Sequence, residues 1–266
     1  MSSETEQFRK RLRELADHAW NGSRYCFTDF LNEAEFSDVL SLCGQAADAV
    51  SSGEETAVSA FPAGITAYGG HSDASRVMIR FGSEETTGYT EPFPIVIVKI
   101  SPLLEKFSDT FSHRDYLGAI LNLGIERRVT GDILTDGTHG YLFCEEKIAE
   151  FICENLTQVR HTHVRSEITD SLPGSLCTTY TPVTLQLSSE RLDAVIAKLY
   201  HFSRSTAIDA FRGQKVYVNG RLCENQSYTP KENDKISVRG FGKFRYLGMS
   251  HITKKGKCSV TVEKFE

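Results

Sequence analysis

The chain has 266 residues, 40% of them hydrophobic and 24% charged, and a net charge of −5. That length suits two or three compact units with real cores, and no apolar run approaches the roughly 18–20 residues of a membrane helix. Seven scattered cysteines without a CxxC pair argue against a disulfide framework or a zinc knuckle, and the charged N-terminus lacks a signal-peptide core. A cytoplasmic protein with reduced thiols is expected.

The first segment, "MSSETEQFRKRLRELADHAW", places Phe8, Leu12, Leu15 and Ala19 at helical spacing. A second helix is predicted over 32–50, opening at Asn32 with Glu35 three residues on, the pattern of a capping box. "AVSAFPAGITAYGG" and "SRVMIRF" read as strands. Residues 1–85 are expected to form an α/β domain without a catalytic constellation.

The next stretch, 86–168, alternates strand and helix. "EPFPIVIVKI" is a β-branched run bounded by prolines, which suits an inner strand. "SHRDYLGAILNLGI" reads as a helix capped by Ser112, with Asp115 in its first turn. "GDILTDGTHGYLFC" gives two strands around Asp136-Gly137. "EEKIAEFICENL" repeats Ile148, Ile152 and Leu156 every four residues, a helix, and "QVRHTHVRSEI" closes with a strand. The order β-α-β-β-α-β is that of a ferredoxin-like unit, the plan of many RNA-recognition domains. Only Tyr141 and Phe143 could serve as their stacking aromatics, so that signal is weak. His161, His163 and Arg165 alternate along the last strand and would share a polar face. No third ligand at suitable spacing accompanies the two histidines, so a metal site is not expected.

Residues 166–182, rich in Ser, Thr, Pro and Gly, read as a linker to a third domain over 183–266. There Leu192, Val195, Ile196 and Leu199 form one helical stripe, with Arg191 and Lys198 on the opposite face. Ser203 can cap a second helix over 204–212, and Gly213 stands where a C-terminal cap belongs. "KVYVNGRLC" alternates and then turns at Asn219-Gly220, a pair suited to a tight hairpin. "KISVRGFGKFRYLG" and "KCSVTVEKF" supply further strands. The predicted fold class is α+β, three small domains.

The charge is unevenly divided. Residues 1–180 hold 15 Lys and Arg against 27 Asp and Glu, whereas residues 181–266 hold 15 against 8. A basic domain carried by acidic companions points to nucleic acid. The candidate RNA-binding residues in it are Arg191, Lys198, Ser203, Arg204, Thr206, Arg212, Lys215, Asn219, Arg221, Arg239, Lys243 and Arg245. They are expected to form one cationic ridge that neutralises phosphates, with the second helix offering its N-terminal amides. Phe241, Phe244 and Tyr246 interleave with the last cations and could stack on bases, or at least one could be core. In the middle domain His113, Arg114, Arg127 and Arg128 flank a helix and are candidates for phosphate. Capping by His113 and Asp115 is the competing reading.

The residues from "RLDAVIAKLYHFSRSTAIDAF" through "VYVNGRL" to "DKISVRGFG" resemble the S-four RNA-binding domain. "SHRDYLGAILNLGIERRVTGDIL" looks like the hallmark of the YlmH family of bacterial S-four-domain proteins. Lys243 departs from the arginine expected there, keeping the charge without the planar fork. The resemblance implies a central RNA-binding domain and association with ribosomal RNA, the large ribosomal subunit and peptidyl-tRNA. It also implies a non-catalytic role in ribosome-associated quality control, with no cofactor, no membrane and a monomer off the ribosome. The alternatives are an RNA-modifying enzyme of pseudouridine synthase or methyltransferase type, a tRNA-binding accessory factor, or a protein-binding scaffold. Fewer than about 30 residues follow Arg239 and no GxGxxG loop is present, which weighs against the enzyme.

Overall fold

The computed structural model describes residues 3–51, 53–72, 74–104, 109–176, 180–252 and 256–265. The chain forms two compact units, Met1–Cys177 and Thr178–Glu266.

The first unit opens with α1 (Ser3–Gly22), β1 (Cys26–Phe27), α2 (Glu33–Cys43) and α3 (Ala47–Ser51). Then come β2 (Thr56–Val58), β3 (Phe61–Tyr68), β4 (Met78–Phe81) and α4 (Glu84–Thr87). The strands make an antiparallel sheet in the order β1-β4-β3-β2. Leu12, Ala16 and Ala19 of α1 are buried in one cluster with Phe61, Ile65 and Phe81 of that sheet. Asn32 caps α2 as the sequence predicts, its Oδ1 accepting from the Ala34 and Glu35 amides at 2.9 and 3.0 Å. The helix predicted to reach residue 50 stops at Cys43, however. Gly44 turns left-handed at φ 59°, a 3-10 turn follows over Gly44–Ala46, and α3 starts afresh.

A second sheet in the same unit holds β5 (Ile95–Pro102), β6 (Thr130–Thr135), β7 (Gly140–Glu145), β8 (Gln158–Val159) and β9 (Thr162–Thr169). Its order is β6-β7-β5-β9-β8, and α5 (His113–Leu121) and α6 (Glu146–Asn155) provide the crossovers. The ferredoxin-like order therefore holds, with β8 added at one edge. Alternation along the strands sends Val98, Ile100, Leu142 and Cys144 toward Tyr116, Ile120 and Ile152 of the helices. The single strand predicted over the "QVRHTHVRSEI" stretch is in fact a hairpin. Arg160 takes φ 54° and breaks it, so His161 lies in the turn instead of sharing a face with His163 and Arg165.

The predicted linker is shorter than 166–182. It begins after Thr169, contains a 3-10 turn over Gly174–Leu176, and ends at Tyr180, with residues 177–179 outside the described ones. The second unit holds β10 (Tyr180–Leu187), α7 (Leu192–Leu199), α8 (Arg204–Arg212), β11 (Val216–Val218) and β12 (Arg221–Leu222). It ends with β13 (Lys235–Val238), β14 (Gly242–Ile252) and β15 (Cys258–Phe265). The antiparallel sheet runs β10-β15-β14-β13-β11-β12. Leu192, Val195, Ile196, Leu199, Ala207 and Phe211 press on Val216, Ile236, Val238 and Phe244. Asn219 and Gly220 are both left-handed, at φ 48° and 73°, and close the predicted hairpin between Val218 and Arg221. Gly213 caps α8 at φ −78°, and the left-handed residue expected there is the next one, Gln214 at φ 53°.

Candidate nucleic-acid interface

The polar and charged residues of the second unit separate into those that build it and those that face solvent. Arg191 is not one of a row of open cations. It precedes α7 as the N-cap and grips the buried Asp193 with two bonds, Nε to Oδ1 at 3.0 Å and Nη2 to Oδ2 at 2.9 Å. A buried carboxylate demands such a partner. Asn219 is likewise committed to the fold. Its Nδ2 donates to Asp234 at 2.8 Å and its Oδ1 accepts from the Lys235 amide at 2.9 Å. Asp234 is itself buried and also accepts from Tyr228 Oη and the Lys231 amide. Burial and that carboxylate push the Tyr228 phenol far above its ordinary value.

Ser203 caps α8 through its Oγ, which accepts from the Thr206 amide at 3.1 Å and meets Thr206 Oγ1 at 2.7 Å. Arg204 opens that helix and is exposed, as is Lys198 on α7. Among the described residues neither has a carboxylate partner. Arg212, on the last turn, is exposed and 3.6 Å from Asp209. Lys215 is exposed and lies along Gly213 at the end of α8.

The remaining cations occupy another surface. Ile236, Val238, Phe244 and Tyr246 point into the core, so Lys243 and Arg245 point to the side of the sheet away from the helices. Arg239 stands over the Tyr217 ring at 4.2 Å on that same side. Arg245 faces Glu263 at 3.7 Å and the rings of Tyr180 and Phe265. Arg221 is exposed at the hairpin. The single predicted ridge is thus two patches, because strand alternation turns the β13–β14 cations away from the helix pair. Of the interleaved aromatics, Phe244 and Tyr246 are core, while Phe241 is half exposed and edge-on to Phe202 at 4.6 Å.

In the first unit the predicted set fares differently. Arg127 Nη1 donates to Thr130 O, Thr130 Oγ1 and Gly131 O at 3.0, 2.6 and 2.7 Å. Burial, and then the nearby Arg76 cation, lowers its pKa to about 10. Arg128 pairs with Glu126 at 2.6 Å and Asp29 at 3.3 Å. Arg127 is thus committed to carbonyls of its own fold, whereas Arg128, though ion-paired, keeps 54% of its side chain exposed. Asp115 accepts from Ser112 N and Oγ at 2.8 and 2.7 Å, so it caps α5, and those bonds hold its carboxyl below the usual range. His113 shows an exposed edge but is crowded enough that desolvation, then Arg127 and Arg114, lowers its pKa. Arg114 is exposed.

Tyr141 and Phe143 are both buried, so the aromatic pair of an RNA-recognition sheet is not displayed. The Phe143 ring lies 4.8 Å from His71 and packs so tightly on Gly70 that no Cβ would fit there. His71 contacts Asp132 at 3.3 Å, and Asp132 also accepts from the Ser75 amide at 2.6 Å. The loop before β4 thereby closes over the sheet. Sequence reasoning missed Arg160, which the hairpin turn carries to the same groove as Arg114. Its only signal was an Arg-His pair between two short alternating runs.

No helix among the described residues is long and apolar enough to cross a membrane. No group of three or more His, Cys, Asp or Glu among them could hold a metal ion.

These two units carry RNA-binding domains of recognised kinds. Residues 89–171 match the family described as "Putative RNA-binding domain in YlmH", and residues 190–236 match the S4 domain. A curated relative from Bacillus subtilis (strain 168), "Ribosome-associated protein quality control protein P2", is 28% identical over 275 residues, covering 99% of each chain. The solved "Cell division protein ylmH from Streptococcus pneumoniae" is 18% identical with a TM-score of 0.46, covering 64% of this chain and 93% of that one. The chain thus carries a domain of the kind found in YlmH proteins followed by an S4 domain, and is similar end to end to a ribosome-associated quality control protein.

Proposed function

We propose that this protein is a non-catalytic RNA-binding factor that associates with the ribosome in quality control of stalled nascent chains. It meets large-subunit ribosomal RNA, peptidyl-tRNA or both, acting in the cytoplasm as a monomer when off the ribosome. Its working parts are an N-terminal domain over 1–85, an RNA-binding domain over 86–168 and the S4 domain over 183–266. The observation that carries this reading is the excess of seven positive charges confined to residues 181–266, with Lys198, Arg204 and Lys215 exposed there. Cations so placed neutralise phosphates and release counterions, which gives salt-dependent affinity. The name of the Bacillus relative, which aligns end to end, supports the ribosomal setting.

The test is co-sedimentation with large ribosomal subunits. Arg204→Glu combined with Lys215→Glu is expected to weaken binding at least about tenfold and to flatten its salt dependence, because two phosphate contacts become repulsions. Both side chains are exposed, so the thermal midpoint stays put. Unchanged sedimentation of the double variant refutes the assignment, and RNA modification by the purified chain with candidate cofactors refutes its non-catalytic part.

A further inference from the structure

We infer that the first unit holds a separate site for an unpaired RNA nucleotide, in the groove between α5 and the β8–β9 hairpin. The inference rests on the RNA-binding reading above and gives it a second point of contact. The groove has a volume of about 540 Å³. Arg114 and Arg160 stand in its wall, with Asn122 and Gln158 supplying amides and Gly118 the opening on α5.

Two features of this groove are unfavourable to the fold and are not required by packing. Gly118 sits within α5, where glycine is the poorest helix former after proline. A Cβ added there would meet nothing within 4 Å, so no neighbour demands the glycine. What it leaves is open space in the groove. Arg160 holds a left-handed backbone at φ 54°, a conformation that glycine or asparagine would adopt more easily. An arginine kept there projects a guanidinium beside the groove, 3.8 Å from Asp115.

The chemistry suits a nucleotide. Two guanidiniums on separate elements can each take phosphate oxygens through paired N–H donors. Asp115, the one acid in the lining, already accepts from Ser112 N and Oγ. Gln158 Nε2 donates to Arg160 O, so its side-chain oxygen is the end available to a base edge. Unpaired RNA is read through such edges, and the aromatic platform on the other face of this sheet is buried.

The experiment measures fluorescence anisotropy of the full chain with a short labelled oligouridylate and with a blunt RNA duplex. Gly118→Leu fills the groove and Arg160→Gly removes the cation while relieving the backbone. Each is expected to weaken oligouridylate binding roughly three- to tenfold, with duplex binding nearly unchanged and a thermal midpoint at or above that of the parent. Equal oligouridylate affinity for parent and variants overturns the groove. So does a parent that binds the duplex but not the oligouridylate, and that result leaves the RNA-binding reading intact. A parent that binds neither RNA overturns both.

Discussion

Arginines at the start of β6 and cations on the helix pair of the second unit look alike in sequence and do opposite work. At β6 the register with β7 shifts between Thr130 and Ile133. Such a bulge leaves carbonyls outside the ladder, and buried carbonyls need donors. Arg127 supplies them to Thr130 and Gly131, while Arg76 bonds Thr130 O, Phe30 O and Arg127 O at 2.9, 2.9 and 3.0 Å. On α7 and α8 the backbone is regular helix whose first turns meet Tyr228 O, Gln226 O and Ser203 Oγ, so no carbonyl calls on Lys198 or Arg204 and both are left to solvent. A cation's role is set by the backbone beside it: where a strand is irregular it is drawn inward, and where a helix is complete it remains available.

That contrast is broken most severely by Arg76→Ala. It removes three hydrogen bonds from a charged donor and strands carbonyls at the join between the two sheets, a loss of about 2–4 kcal/mol. Chemical denaturation of the full chain is expected to show the loss in the transition of the first unit. An unchanged transition would mean that these contacts contribute nothing. RNA binding by the folded fraction is expected to persist, the reverse of the Arg204 and Lys215 double variant.

Asp234→Ala sharpens the contrast within the second unit. Asp234 accepts from Asn219 Nδ2, Tyr228 Oη and the Lys231 amide at 2.8, 2.7 and 2.8 Å, which together fix the hairpin. Its removal is expected to cost about 2–3 kcal/mol, and Asn219→Ala less, since that loses two hydrogen bonds and leaves Asp234 its bonds from Tyr228 and Lys231. Equal stability of parent and Asp234→Ala would show Asn219 to be available to RNA after all.

Much of this was legible in the sequence. Periodicity placed most helices and long strands, and the Ser203, Asn32 and Asn219-Gly220 signals mark caps and turns where the structure has them. The local pattern could not reveal long-range demand. Nothing in "ERRVTGD" announces that the facing strand slips, so Arg127 reads as an open cation. Nor does alternation alone say which side of β14 lies under the helices, and hence that Lys243 and Arg245 part company with Arg204. Tyr141 and Phe143 had the right spacing for a platform, but the burial of Phe143 against His71 depends on a segment some 70 residues earlier.

The smallest effect expected concerns His113, where the two behaviours meet. The group is desolvated and lies near Arg127 and Arg114, whereas Asp132 partly offsets them, so the folded protein holds its proton less readily than the unfolded chain. With a folded pKa below the ordinary 6.5, the unfolded state takes up protons first as the solution is acidified. Stability from this group is therefore complete above pH 6.5 and is lost progressively below it, levelling off once the folded pKa is passed. Asp115 follows a different course, because its depressed pKa keeps its contribution until the pH falls through the carboxylate range. His113→Gln is expected to flatten the first decline and leave the second. Thermal midpoints between about pH 7.5 and 3 separate the two windows, and identical slopes for parent and variant above about pH 5 would show that neither burial nor the two arginines act on this ring. An RNA phosphate beside Arg114 would counter that repulsion, so oligouridylate binding should be accompanied by proton uptake in the parent and not in His113→Gln.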